Sequence, residues 1–162
     1  MKVLITCSGT GSRMGKYTEY TNKALIKIGD KFTIDYIIDN FKLISNVEFI
    51  ISLGYYGDFV KQYLSIAYPE LNFTYVSIDK YEGKGSSQGY SLLQCKNYLQ
   101  DPFIFIACDT IILDNLFDSN HTITSNTIYS YNYKNSTSYS SIKCQKNKII
   151  SIHDKGELNI DY

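Results

Sequence analysis

The sequence predicts an α/β fold, three-layer α/β/α, with a mostly parallel sheet and antiparallel strands added near the C-terminus. Three observations lead there. Short apolar runs of strand length alternate with segments whose apolar residues recur at helical spacing. Those runs are apolar almost throughout, as in strands of a sheet covered on both faces. After about Leu116 the chain turns polar, β-branched and rich in Asn and Ser, as in antiparallel strands joined by exposed turns.

Taken in order, residues 2–7 read as a buried strand. Ile34, Ile37, Ile38, Phe41 and Ile44 place a helix over 33–45. Residues 47–53 form a strand closed by Gly54. Phe59, Val60, Tyr63, Leu64 and Ala67 mark a second helix that stops before Pro69. A strand follows over 71–78, then a third helix over 86–99 carrying Leu92, Leu93, Cys95 and Leu99. The Asp101-Pro102 turn leads into an apolar strand over 103–108. Segments 127–133, 139–145 and 148–153 read as antiparallel strands split by turns.

At 162 residues the chain is one domain by length and can bury a core. Its 16 basic and 16 acidic residues balance, which argues against a broad nucleic-acid or membrane surface but allows a local phosphate site. Cys7, Cys95, Cys108 and Cys144 lie far apart without a C-x-x-C pair, so structural zinc is not expected. Cys7 and Cys108 sit in apolar runs and are expected to be buried. No run has the length of a membrane span, and the N-terminal apolar run is shorter than a signal peptide; a reduced, cytoplasmic protein is expected. The last residues, 158–162, read as a strand just beginning, so the chain is expected to be a piece of a longer one.

The most informative segment follows the first strand: Thr6-Cys7-Ser8-Gly9-Thr10-Gly11-Ser12-Arg13-Met14. The chain has 15 lysines and one arginine, and that arginine, Arg13, lies in this loop. A guanidinium fork suits bidentate phosphate recognition, which a lysine point charge does not reproduce. In an open α/β sheet, ligands bind beyond the carboxyl ends of the strands, where this loop falls. The dinucleotide fingerprint G-x-G-x-x-G fails because Met14 stands where its third glycine belongs. The P-loop fails because Thr10 occupies its first glycine position and Tyr17 follows Lys16.

The loop resembles the signature of sugar-phosphate and choline-phosphate nucleotidyltransferases, roughly G-G-x-G-x-R-[ML] followed by P-K. Here the match is Ser8 to Met14, then Asn22-Lys23-Ala24-Leu25, with Ser8 replacing a glycine and Asn22 replacing the proline. Ile51-Ser52-Leu53-Gly54-Tyr55 is similar to the family's strand ending in Gly-Tyr. Gly85-Ser86-Ser87-Gln88-Gly89 falls where the family opens a helix beside base and ribose. Phe105-Ile106-Ala107-Cys108-Asp109 resembles the strand ending in Gly-Asp, and Asp154-Lys155 resembles a later Glu-Lys pair.

The resemblance implies a Rossmann-like nucleotidyltransferase domain over 1–162, cut short at its C-terminus. Residues 1–116 would be the nucleotide-binding half and 117–162 the start of the acceptor-binding half. The implied reaction is attack by an acceptor phosphate on the α-phosphorus of an NTP, with pyrophosphate leaving. The acceptor would be a sugar 1-phosphate or a phosphocholine-like molecule used in capsule or lipopolysaccharide precursors. The segment from Gly83 to Leu92 favours CTP as donor. Arg13 and Lys23 would be catalytic, Asp109 would hold Mg2+, and Lys155 would meet the acceptor. Ser8, Gly9, Thr10, Gly11, Ser12, Gly54, Gly85, Ser86 and Gln88 would line the nucleotide.

Several of these residues admit a second role. Ser86 and Gln88 also suit an N-cap, Asp109 a turn cap, and Tyr55 either base stacking or packing. The family's second metal-binding aspartate has no clear counterpart before Tyr162, so a homo-oligomer or a further C-terminal segment would complete the site. A non-catalytic nucleotide-binding or regulatory domain of the same fold, or an incomplete fragment lacking activity, is the alternative reading, and an NAD-dependent dehydrogenase is disfavoured by the failed fingerprint.

Overall fold

The computed structural model describes residues 1–113, 125–130, 140–146 and 148–153. The chain divides into two compact units, Met1–Ile123 and Thr124–Tyr162. In the first, four strands form one parallel sheet: β1 (Lys2–Cys7), β4 (Glu48–Leu53), β5 (Asn72–Ser77) and β6 (Phe103–Ala107), in the order β5-β4-β1-β6. Successive strands run outward from β1 through β4 to β5, and β6 then returns to the other side of β1. The order reverses at β1, and in such sheets the crevice at the reversal is where ligands bind.

Three helices cover the sheet: α1 (Thr33–Phe41), α2 (Gly57–Ala67) and α3 (Gln88–Gln94). Val3, Ile5, Phe49 and Ile51 face one side and pack with Ile34, Ile37, Ile38 and Phe41 of α1 and Val60 and Leu64 of α2. Leu4 and Ile50 face the other side and pack with Leu92 and Cys95 around α3. The three-layer arrangement follows because the inner strands β1 and β4 carry apolar residues on both faces. Asp35 ties α1 to α2: its carboxylate accepts from Phe32 N (2.9 Å), Tyr63 Oη (2.8 Å) and Tyr68 Oη (2.8 Å). Burial of the phenols, and then the carboxylate beside them, pushes both tyrosine pKa values well up.

Two helices end sooner than their apolar spacing suggests. The first stops at Phe41, and the third gives way at Cys95 to a 3-10 turn, Lys96–Tyr98. Cys95 N is shared among the carbonyls of Ser91, Leu92 and Leu93, which tightens the chain and leaves Leu93 exposed. A short hairpin, β2 (Lys27–Ile28) with β3 (Lys31–Phe32), turns at Gly29-Asp30 and was not legible as a strand pair.

In the second unit, β7 (Ser141–Gln145) and β8 (Lys148–His153) pair antiparallel in a two-stranded sheet of their own, with a register shift at Lys143/Cys144. Of the segment 127–133, residues 127–130 are not strand and the remainder lies outside the described residues.

Candidate functional site

The carboxyl end of β1 delivers the glycine-rich loop. Cys7 and Cys108 are both fully buried at the ends of β1 and β6. Burial, reinforced by Cys108 beside it, pushes the Cys7 thiol well above 9.0, so it stays protonated and is no nucleophile. Ser8 is turned inward: its Oγ shares a 2.9 Å hydrogen bond with Ser91 Oγ of α3, and its carbonyl accepts from Tyr55 N at 3.0 Å. Gly9 is open, with no atom within 4 Å of where a Cβ would stand.

Gly11 adopts φ +67°, and a Cβ there would fall 2.8 Å from Thr18 Cγ2. Its carbonyl accepts from Met14 N (2.8 Å) and Thr18 Oγ1 (3.1 Å), which folds 12–18 back as a 3-10 segment kinked at Gly15. Arg13 stands on that segment, exposed and without a hydrogen bond or ion pair among the described residues.

Lys23 and Asp109, 86 residues apart, meet at the crevice between β1 and β6: Lys23 Nζ donates to Asp109 Oδ2 at 3.1 Å. Lys23 is the more buried, its side chain 18% exposed against 45% for Asp109. Burial alone would lower the lysine pKa, but Cys108 and Asp109 outweigh it and hold the value above 10.5. The ammonium is therefore charged at neutral pH. Among the described residues no cluster of three His, Cys, Asp or Glu side chains could hold a metal ion. Asp109 offers one hard carboxylate, which fits Mg2+ only where phosphate oxygens and water supply the rest of its shell.

Gly54 closes the other flank. A Cβ there would stand 2.5 Å from Ser8 O and 2.7 Å from Tyr81 Cβ, so the β4 end and the loop touch backbone to backbone. Beside the loop lies an open cleft of about 480 Å³, walled by Thr10, Ser12, Lys16, Glu19, Tyr55 and Glu82. Tyr55 Oη donates to Glu19 O at 3.0 Å, fixing the ring in that wall.

The segment 83–89 is a turn leading into α3. Gly85 has φ +92°, and Ser86 Oγ donates to Gly83 O at 2.8 Å. The N-cap of α3 is Ser87, whose Oγ accepts from Tyr90 N at 3.0 Å; neither Ser86 nor Gln88 caps it. Gln88 is its exposed first residue. Lys155 lies outside the described residues, as do Asp114, His121 and Asp154.

Three contributors were not legible in the sequence. Thr18 braces the loop through the Gly11 carbonyl, Ser91 anchors Ser8, and Asn22 is fully buried with both its side-chain nitrogen and oxygen hydrogen-bonded. Asn22 had a signal: it departs from the family pattern immediately before Lys23. Thr18 and Ser91 had none, since a lone hydroxyl gives no hint of its partner.

Residues 3–117 match the family model described as a MobA-like NTP transferase domain. The choline-phosphate cytidylyltransferase of Streptococcus pneumoniae is 30% identical over 122 residues, covering 75% of this chain and 50% of that protein. The bifunctional protein GlmU of Methanocaldococcus jannaschii is 28% identical over 117 residues, covering 72% of this chain and 26% of that one. A solved CTP:phosphocholine cytidylyltransferase from Streptococcus pneumoniae superposes with a TM-score of 0.61 at 30% identity, covering 75% of this chain and 50% of that one. The chain thus spans between about a quarter and a half of the length of these relatives.

Proposed function

The chain belongs to the MobA-like NTP transferase family, and from that premise we propose that it forms the nucleotide-handling core of a nucleotidyltransferase. The reaction moves an NMP group from an NTP to a small phosphorylated acceptor and releases pyrophosphate. The acceptor is a sugar 1-phosphate or phosphocholine, the donor is CTP, and the product feeds surface-polysaccharide assembly in the cytoplasm. The observation that carries the reading is the convergence of the open loop at Gly9, the charged Lys23 and the carboxylate of Asp109 on the carboxyl edge of one sheet.

Each part has a chemical task. The loop's backbone N–H groups approach the triphosphate, since Gly9 leaves that face clear of side chain. Arg13, with no partner among the described residues to give up, takes the β- and γ-phosphates and the charge that grows on the leaving pyrophosphate. Lys23, fixed near β1, neutralises the α-phosphate as the acceptor oxygen approaches. Asp109 would hold Mg2+, which supplies charge neutralisation across the phosphates when bound. No general base is needed, because the attacking phosphate oxygen is already ionised. Lys23 and Asp109 neutralise each other in the absence of substrate, so phosphate binding must share or open that pair.

The test is pyrophosphate release by the full chain with each common NTP, Mg2+ and a panel of sugar 1-phosphates and phosphocholine. Release that requires both an NTP and an acceptor, fastest with CTP, is the expected result. NTP binding without release across the panel would leave a non-catalytic nucleotide-binding domain and overturn the transferase reading.

A further inference from the structure

We infer that Asn22 is a positioning residue that sets the reach of Lys23, an inference resting on the transferase reading above. The family pattern has proline at this point, which carries no side-chain donor or acceptor, so the work done by Asn22 belongs to this chain. Asn22 is completely buried. Its Nδ2 donates to Cys7 O at 2.7 Å, at the end of β1, and to Tyr55 O at 2.6 Å, just beyond β4. Its Oδ1 accepts from Ala24 N at 2.9 Å, starting the 3-10 turn Lys23–Leu25.

One carboxamide thus joins two strand ends to the turn whose first residue is Lys23. A buried amide is costly unless its donors and acceptor are met, and here both protons and the oxygen are used on backbone groups of three different segments. Thr33 Oγ1 donates to Lys23 O and Ala24 O, both at 2.9 Å, bracing the same turn from α1. Because a lysine stem is long and flexible, the backbone it springs from decides which charges its ammonium can reach. From this turn it reaches Asp109, beyond the end of β6. Asn22 therefore couples the ends of β1 and β4 to a charge held at the end of β6.

The experiment compares the full chain with Asn22→Ala, Asn22→Ser, Lys23→Ala and the Asn22→Ala/Lys23→Ala double variant. Acylation of Lys23 by a small succinimidyl ester, read by mass spectrometry, reports its freedom without needing turnover. In Asn22→Ala the Lys23 rate should rise about fivefold, as it should when Asp109→Asn removes the ion pair directly. Lys61, whose ammonium lies over the Tyr75 ring, and Lys96, on the 3-10 turn after α3, should label as before.

In pyrophosphate release, Asn22→Ala should lower kcat about tenfold with little change in the KM for NTP. In the Lys23→Ala background the same change should cost almost nothing, a coupling of about tenfold. Asn22→Ser, which keeps a hydroxyl donor and acceptor, should fall between; it also decides the matter if Asn22→Ala does not fold. Unchanged Lys23 labelling in a folded variant, or full additivity of the two rate losses, overturns the inference. Absence of pyrophosphate release by the unaltered chain would sink the transferase reading alone, since the labelling result still decides on Asn22.

Discussion

Substituting Gly54 by alanine is the sharpest test of how the site is held together. The added Cβ would meet Ser8 O at 2.5 Å and Tyr81 at 2.7 Å, whereas ordinary contact begins at 3.4 Å. The deficit against Ser8 is about 0.9 Å, and the atom in the way is backbone, so no side-chain rotation relieves it. Either β4 or the loop must move. Overpacking of this kind costs about 1–3 kcal/mol. Movement also strains the 3.0 Å bond from Tyr55 N to Ser8 O, worth about 1 kcal/mol. Together they amount to about 3 kcal/mol, which for a chain of this size lowers Tm by roughly 6–12 °C. The assay is thermal unfolding followed by circular dichroism, with Gly9→Ala as the control. Gly9 has nothing within 4 Å of its Cβ position and no positive φ, so Gly9→Ala should melt within about 2 °C of the unaltered chain. Its effect should fall on nucleotide binding instead, because the methyl stands where the triphosphate backbone contacts are expected. A Gly54→Ala variant that melts with the unaltered chain would refute the close approach of β4 to the loop. Normal nucleotide binding by Gly9→Ala would refute the open face as the phosphate site.

Three further outcomes follow from named contacts. Arg13→Lys should melt normally, within about 0.5 kcal/mol, since Arg13 is exposed and unpaired among the described residues, yet lose most of the pyrophosphate-release rate; normal turnover would remove Arg13 from the mechanism. Asp35→Ala leaves Phe32 N, Tyr63 Oη and Tyr68 Oη without their acceptor and should cost about 3 kcal/mol by urea unfolding, with no change in m-value. The third concerns acid stability. Burial works against the charge of Asp39, but hydrogen bonds from Lys31 and Lys42 outweigh it and hold its pKa below 3.8. A depressed folded value adds stability that is fully present above 3.8 and lost as pH falls through the folded pKa. The advantage of the unaltered chain over Asp39→Asn in thermal melts should therefore be full near neutral pH and shrink below 3.8. An advantage that grows on acidification would reverse the assignment.

Much of the first unit was legible because its determinants are local. Val3, Leu4 and Ile5 are apolar in succession, as in a strand buried on both faces, and β1 is one of the sheet's two inner strands. The helix over Thr33–Phe41 follows from its apolar spacing, as does α2, although Phe59, one of its apolar marks, is 49% exposed. Helix ends were less legible because hydrogen-bond competition at Cys95, not periodicity, stops α3.

Residue types and their spacing determined by themselves that the chain is α/β, that a glycine loop follows its first strand and that the lone arginine, Arg13, lies in it; the resemblance to the nucleotidyltransferase signature added Lys23 and Asp109 as candidate phosphate and metal groups. Tertiary structure alone decided which of these meet. Lys23 and Asp109 lie 86 residues apart and become partners only because β6 returns beside β1. It also decided that Asn22, a mild departure from the family pattern as a letter, is a buried amide spanning two strand ends. The physical reason is the same in both cases. Periodicity reports which face a residue shows, whereas the partner of a polar atom depends on strand order and register, which no local stretch of sequence contains.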